Sequence, residues 1–447
     1  MVKAVTLHKI AGIGTGLVLL LLGITGFFLD HKQWDFLYTT TFKHLPKAAL
    51  EEDKRLFEAY WQDPVSPKHN IIGGKRGIFE TFDGGATYRK MSNIQCQAIK
   101  DDKNKMFAAT SDGIYVLKDS IWSNYALSGE YVNALCLSPN DIVAVVDKRE
   151  IVRLTKTDAQ ILGRSSVKIS SSKLQEAITL SRLVRDLHYG RGLLEGDWSL
   201  YINDYGALFL TALAFGGYLI WWLIHKKKAP KVTRKLIRLH SNVFSLAALI
   251  PLVILAVTGV FLDHANTLAR FMASVKIPHA ILPPVYSTLQ HDIWSVDFDG
   301  KIYRIGNRYG VYKSEDLRDW EMESKGFAFR MIRKDNVLYV SGMGSSNRKY
   351  DGRWERLNNT PHMFRDVVNN NGKISYFAAT NDKFTLPVFK DATLYSLFFT
   401  LHDGTFFASW WIWINDISVL AFFVLGATGV IRWYKRRRSH IKKKIPV

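Results

Sequence analysis

Ile24-Thr25-Gly26-Phe27-Phe28-Leu29-Asp30-His31 recurs as Val257-Thr258-Gly259-Val260-Phe261-Leu262-Asp263-His264. Upstream of each copy lies an uncharged apolar run, and each run is preceded by Leu-His: Leu7-His8 before the first, Leu239-His240 before the second. A second pair of segments repeats as well. Leu187-His188-Tyr189-Gly190 leads to Tyr201-Ile202-Asn203-Asp204, and Leu401-His402-Asp403-Gly404 leads to Trp413-Ile414-Asn415-Asp416; an apolar run follows each. Ionisable side chains at membrane segments are costly and are usually kept for a task. Six histidines placed in duplicate point to a task of holding something between helices.

Four stretches, about 10–29, 205–224, 243–262 and 410–431, are long and apolar enough to be expected as membrane-spanning helices. The last contains Asp416, but it matches the second, which supports reading it as a span. The first matches an internal segment, so it reads as a span rather than a cleaved signal. Lys3 and Lys9 precede the first stretch, seven bases from Lys226 to Arg238 fill the link between the second and third, and eight from Arg432 to Lys444 form the tail, with no acid in any of the three regions. By the positive-inside rule both termini and the short link are expected in the cytoplasm, with residues 32–204 and 265–409 outside.

That pattern also explains the formal net charge of +20. The three basic regions hold 17 of the 60 Lys and Arg, leaving 43 bases against 40 acids. The excess is a topology signal and an attraction to anionic lipid, which sets nucleic acid aside as a partner. The two cysteines, Cys96 and Cys136, form either a disulfide or two buried free thiols, and no Cys-x-x-Cys-His is present for covalent haem attachment.

The outer segments read as β structure. Short alternating runs such as 113–117 and 336–340 are separated by Asp-Gly and Asn-rich turns. Thr81-Phe82-Asp83-Gly84-Gly85-Ala86-Thr87-Tyr88 resembles an Asp-box hairpin turn, with Tyr88 expected to pack inward, and 314–320 is a shortened version ending in Trp320. Gly77-Ile78-Phe79-Glu80-Thr81 is echoed by Gly310-Val311-Tyr312-Lys313-Ser314 at a shift of 233, the shift that also relates Asp30 to Asp263. A unit of helix, outer segment and helix is therefore expected to be duplicated about an axis along the membrane normal. Amphipathic helices are expected over 173–191 and 382–402, each leading into a span. The expected architecture is a membrane α-helical bundle of four spans, internally duplicated, carrying a β-rich outer domain of propeller-like or sandwich-like form.

A haem in such a bundle needs two axial nitrogens from facing helices and a slot for a flat ring. Gly12, Gly14, Gly16, Gly23 and Gly26 in the first span, Gly216 and Gly217 in the second, and Gly426 and Gly429 in the fourth would let a ring approach the backbone. The symmetry axis pairs His8 with His240 on the cytoplasmic side and leaves His188, His402, His31 and His264 for the outer side. On a helix, His8 and His31 lie about 35 Å apart, which brackets a bilayer. The interval from His8 to His31 is one residue shorter than that from His240 to His264. Either Pro251 kinks or rewinds the third span, or His31 and His264 lie beyond the regular helices. Asp204 and Asp416 either orient histidines or cap helices, with capping favoured. Thr25, Thr258 and Thr428 are expected to bond their own helix backbone.

These residues resemble the PepSY-associated transmembrane family: Leu7-His8, Thr25-Gly26 and Leu187-His188-Tyr189-Gly190, with copies at Leu239-His240, Thr258-Gly259 and Leu401-His402-Asp403-Gly404. The resemblance implies a bacterial inner-membrane protein with haem b and, in some members, reduction of ferric siderophores in the periplasm. The outer segments depart from that family, having β-propeller texture and no recognisable PepSY domain. The expected organisation is a first span over 1–31 and a periplasmic β half over 32–172. An amphipathic helix and span follow over 173–225, a basic link over 226–239 and a third span over 240–264. A second β half occupies 265–381, an amphipathic helix and span 382–434, and a basic tail 435–447.

The function expected is electron transfer across the membrane. Haem, two or more copies, would be held by His8, His240, His188, His402, His31 and His264, with a quinol or cytoplasmic reductant as donor and a periplasmic ferric chelate as acceptor. Two other readings stand beside it: a membrane-anchored periplasmic scaffold, sensor or assembly factor, and a metal or siderophore transporter.

Overall fold

The computed structural model describes residues 4–102, 105–288, 291–370, 372–379 and 383–442. The chain forms two units. One comprises Met1–Ala49, Ser181–Met272 and Asp391–Val447, and the other Leu50–Leu180 and Ala273–Lys390.

The first unit is helical. The helices that matter for the site are α1 (Ala4–Asp30), α2 (Leu180–His188), α3 (Trp198–His225), α4 (Pro230–His240), α5 (Val243–Ala247), α6 (Leu249–Asp263), α7 (Leu394–Asp403) and α8 (Ile412–Lys442). Among the described residues, three helices are long and apolar enough to cross a bilayer: Ala4–Asp30, Trp198–His225 and Ser409–Arg438. The third apolar stretch is not one straight helix, and the break lies close to Pro251, the residue at which one of the two sequence alternatives placed a kink. Pro230–Ala247 and Leu249–Asp263 together are apolar enough, but they are bent by 70°. The break falls at Ala248, which puts Pro251 in the first turn of α6. There its missing N–H removes no helical hydrogen bond, whereas mid-helix it would. Asn242 caps the restart at α5, its side chain accepting from Ser245 N at 2.7 Å.

α1 packs on α3 and α8, and α6 packs on the same two helices. Leu19, Ala248, Leu252 and Phe422 are buried at their centre. Close approach depends on small residues. A Cβ at Gly23 of α1 would stand 2.7 Å from Thr211 Oγ1 and 3.1 Å from the Ala207 carbonyl oxygen of α3.

The two lead-in helices are shorter than expected. Instead of a helix over 173–191, a 3-10 turn at Ser171–Lys173 is followed by a strand, Ile178–Thr179, paired with Lys276–Ile277, and only then by α2. Periodicity could not show that the β-branched Ile178-Thr179 pair finds a strand partner about a hundred residues away. The expected helix over 382–402 begins only at Leu394, where Thr393 caps it by accepting from Ser396 N, and it ends at Gly404 with φ 83°; residues 380–382 lie outside the described residues.

The second unit is built from antiparallel sheets in simple up-and-down order. Among the described residues, five have four strands, spanning 57–92, 96–126, 132–166, 295–325 and 330–356, and a sixth of two strands spans 366–377. Their first strands are neighbours in sequence around a ring: Phe57–Gln62, Cys96–Asp101, Val132–Leu137, Ser295–Phe298, Arg330–Lys334, Asp366–Asn370, and back to Phe57–Gln62. Blade-like sheets whose first strands close a circle have the order of a propeller rather than of a two-sheet sandwich. Each outer segment contributes three of the sheets. The echoed strands Gly77–Thr81 and Gly310–Ser314 are each third in the first sheet of their segment.

The expected turn motif explains both hairpins that follow. Asp83 accepts from Thr81 Oγ1 at 2.7 Å and from Thr87 N at 3.0 Å, Gly84 and Gly85 adopt φ 78° and 97°, and Tyr88 reaches the Thr385 carbonyl oxygen at 2.8 Å. In the shortened copy Asp316 accepts from Ser314 Oγ, Arg318 N and Asp319 N, and Trp320 is 1% exposed. Cys96 and Cys136 are both buried free thiols.

Candidate functional site

Four of the six repeated histidines meet in two pairs. The rings of His8 and His240 stand 6.4 Å apart, centre to centre, at 86°. Those of His188 and His402 stand 6.2 Å apart at 63°. His8 lies in the second turn of α1 and His240 ends α4, while His188 and His402 sit in the last turns of α2 and α7. His402 faces Gly26, whose Cβ would lie 3.3 Å from its Cε1. From His8 to Gly26 along α1 the rise is about 27 Å, so the two pairs are separated by most of a hydrocarbon core.

Threonines set how three of the four paired rings are presented. His8 Nδ1 lies 2.8 Å from Thr428 Oγ1, His402 Nδ1 2.9 Å from Thr25 Oγ1, and His188 Nδ1 3.0 Å from Thr258 Oγ1. Each hydroxyl spends its single hydrogen on a carbonyl of its own helix at 2.7 Å: Leu21 for Thr25, Ile254 for Thr258 and Val424 for Thr428. A hydroxyl so engaged can only accept from the imidazole. Nδ1 therefore carries the proton, and the lone pair lies on Nε2, the arrangement of a metal-ligating histidine. The expectation that these threonines bond their own backbone is correct but incomplete. The sequence signal for their second role was the Thr-Gly step shared by α1, α6 and α8. Burial drives the His188 ring down to about pKa 3 and that of His402 to about 4, which keeps both neutral.

The centre-to-centre spacing of each pair is compatible with two imidazoles sharing one metal. A metal–imidazole bond of about 2 Å on each side, with about 1.2 Å from nitrogen to ring centre, puts two axial rings about 6.4 Å apart. Among the described residues no group of three or more His, Cys, Asp or Glu is gathered for a metal ion. Two imidazoles alone under-fill a tetrahedral site, but they complete a macrocycle that brings its own four nitrogens. Glycines lie against the rings: Cβ atoms at Gly259, Gly217 and Gly429 would stand 3.5, 3.6 and 3.9 Å from Cε1 of His188, His240 and His8.

His31 and His264 are placed differently. Both lie just beyond the regular helices α1 and α6, and each faces an aspartate rather than another imidazole. His31 Nε2 is 3.5 Å from Asp204 and its Nδ1 is 2.8 Å from the Phe27 carbonyl oxygen. His264 Nε2 is 2.9 Å from Asp416. Asp204 and Asp416 thus bind histidines instead of capping, since α3 and α8 start at Trp198 and Ile412. The asparagines beside them brace the paired rings. Asn203 Nδ2 donates to the His188 carbonyl oxygen at 3.0 Å and to Asp30 at 3.3 Å, and Asn415 Nδ2 donates to the His402 carbonyl oxygen at 3.2 Å and to Asp263 at 3.4 Å. The repeated Ile-Asn-Asp was the sign of this role.

Residues 5–436 match the family described as the PepSY-associated TM region. The chain belongs to the PepSY-associated TM family. No curated protein sequence matches this family member. Its structure is distantly similar to BamB from Moraxella catarrhalis, with 9% identity over 62% of this chain and 52% of that one, at a TM-score of 0.29. It is also similar to an ancestral GH74 enzyme, with 10% identity over 76% of this chain and 37% of that one, at a TM-score of 0.34. For YCF48 from Cyanidioschyzon merolae the figures are 12% identity, 68% and 85% coverage, and a TM-score of 0.27. The PepSY-associated TM chain spans about half the length of BamB, and its propeller order rests on its own strand contacts.

Proposed function

We propose that this protein is a b-type haem electron carrier of the bacterial inner membrane, with His8 and His240 holding one haem and His188 and His402 a second. The observation that carries the reading is the threonine-locked tautomer. Three imidazoles have Nδ1 against a threonine hydroxyl already engaged by its own helix, which leaves Nε2 as the ligating nitrogen, and the rings pair at a spacing compatible with one shared iron. The haem, when bound, supplies one-electron redox chemistry. The chain's part is to fix the rings, exclude water and set the distance between the two centres. Asp204 and Asp416 hold His31 and His264 as a flanking layer, so those two histidines support the site without ligating.

In this reading the bent segment completes a fourth span, and the two halves of the bundle are duplicates. The basic link and tail face the cytoplasm and the blades face the periplasm. A quinol or cytoplasmic reductant supplies the electron at the His8–His240 end. The acceptor beyond the His188–His402 end is a ferric chelate, an assignment that rests on the family resemblance.

The test is a reduced-minus-oxidised spectrum with pyridine haemochrome quantification on protein made with ample haem. Two haems per chain are expected, with His8→Ala and His188→Ala each removing a different one. Purified protein with no Soret band ends the proposal; full haem content and activity in both variants would favour the scaffold reading.

A further inference from the structure

The fourth imidazole breaks the pattern of the other three. α3 and α8 match at a shift of 212, as Asn203-Asp204 against Asn415-Asp416 shows, so Gly216-Gly217 stands where α8 has Thr428-Gly429. The geometry follows that match. Gly217 lies against His240 Cε1 as Gly429 lies against His8 Cε1. Gly216 faces His240 Nδ1, the atom that a threonine at this position would bond: a Cβ there would be 3.8 Å from Nδ1, with no other neighbour within 4 Å outside its own helix. His240 Nδ1 is buried and has no hydrogen-bond partner.

An Nδ1–H that donates to an acceptor pushes electron density onto Nε2, which makes the ring a stronger ligand and favours the oxidised metal. A ring without that acceptor is a weaker donor, and the potential of its metal rises. We infer that Gly216 is a positioning residue by omission: it withholds from His240 the acceptor given to the other three rings, so that the His8–His240 centre is the more easily reduced and less tightly held of the two. This inference rests on the haem reading above. It adds an order to the two centres, with the pair nearer the basic link reduced first. The missing side chain is not a packing necessity, because the space beside Nδ1 admits a Cβ at ordinary contact distance. Gly23 differs, since a Cβ there would be driven into α3.

The experiment is a potentiometric titration of the full-length, haem-loaded protein, with haem retention measured against excess apomyoglobin. The wave lost in His8→Ala identifies the His8–His240 centre, which is expected to be the higher of two. Gly216→Thr should move that wave to lower potential, leave the other in place, and slow haem loss from that centre about tenfold. Thr258→Val removes the acceptor of His188 and should raise the other wave toward the first, which decides the matter if Gly216→Thr fails to fold. The inference is overturned if the lost wave is the lower one. It is equally overturned if the waves stay put in haem-replete Gly216→Thr, or in Thr258→Val. Absence of haem from the wild type would instead defeat the functional proposal itself.

Discussion

Thr25, Thr258 and Thr428 each use one hydroxyl both for the carbonyls of their own helix and for a histidine ring, and the contact with the ring gives the neighbouring histidine its chemistry. Replacing any of them by valine keeps the shape and removes the acceptor. Haem affinity at the affected centre is expected to fall by about 10–100-fold, read from the haem-to-protein ratio after competition with apomyoglobin. An unchanged ratio in all three would show that the threonines serve only their own helices. Cys96 and Cys136 make a contrasting pair. Burial pushes both thiols up to about 12, so neither is a thiolate at neutral pH. A maleimide reagent is expected to leave the folded protein unlabelled at pH 8 and to label two sites after denaturation; rapid native labelling would contradict the burial described here.

At the scale of elements, close helix contact and blade anchoring set stability. Gly23 lets α1 approach α3, and Gly23→Leu must displace Thr211 or the α3 backbone. The expected cost is about 1–3 kcal/mol, seen as a lower melting temperature of the helical unit in detergent; an unchanged melt would mean that the two helices part without loss. Trp320 anchors the fourth sheet beneath its Asp-box-like turn. Trp320→Ala is expected to destabilise the β unit by about 3–5 kcal/mol, measured as an earlier urea midpoint followed by circular dichroism. Both elements were foreshadowed in the sequence, one by glycine in an apolar run and the other by an aspartate turn ending in an aromatic. The bend was foreshadowed only in part, for its place at Ala248 was not. Pro251 was the residue under suspicion, but a proline sits without penalty in a first turn, so the helix breaks before it. The strand at Ile178–Thr179 escaped for a related reason, since its partner at Lys276–Ile277 is remote in the chain.

For the whole molecule, the charge pattern sets an expected topology. Reporter fusions after residue 228 and at the C-terminus should be active only inside the cell. Insertions between the blades of 50–180 or 273–390 should be reached from the periplasm; inverted reporter activity would remove the proposed direction of electron flow. The apolar stretches, the repeat and the membership of the PepSY-associated TM family could be read from the chain, because composition and local pattern are properties of neighbouring residues. The six histidines could be picked out, but not which of them meet. A side chain at a helix end is aimed by rotation about the helix axis, and that rotation is set by packing among segments hundreds of residues apart. Folding alone separated His31 and His264, held by aspartates, from the four paired rings. It also closed sheets from two distant segments into one ring, because a blade's open face is covered only by the next blade.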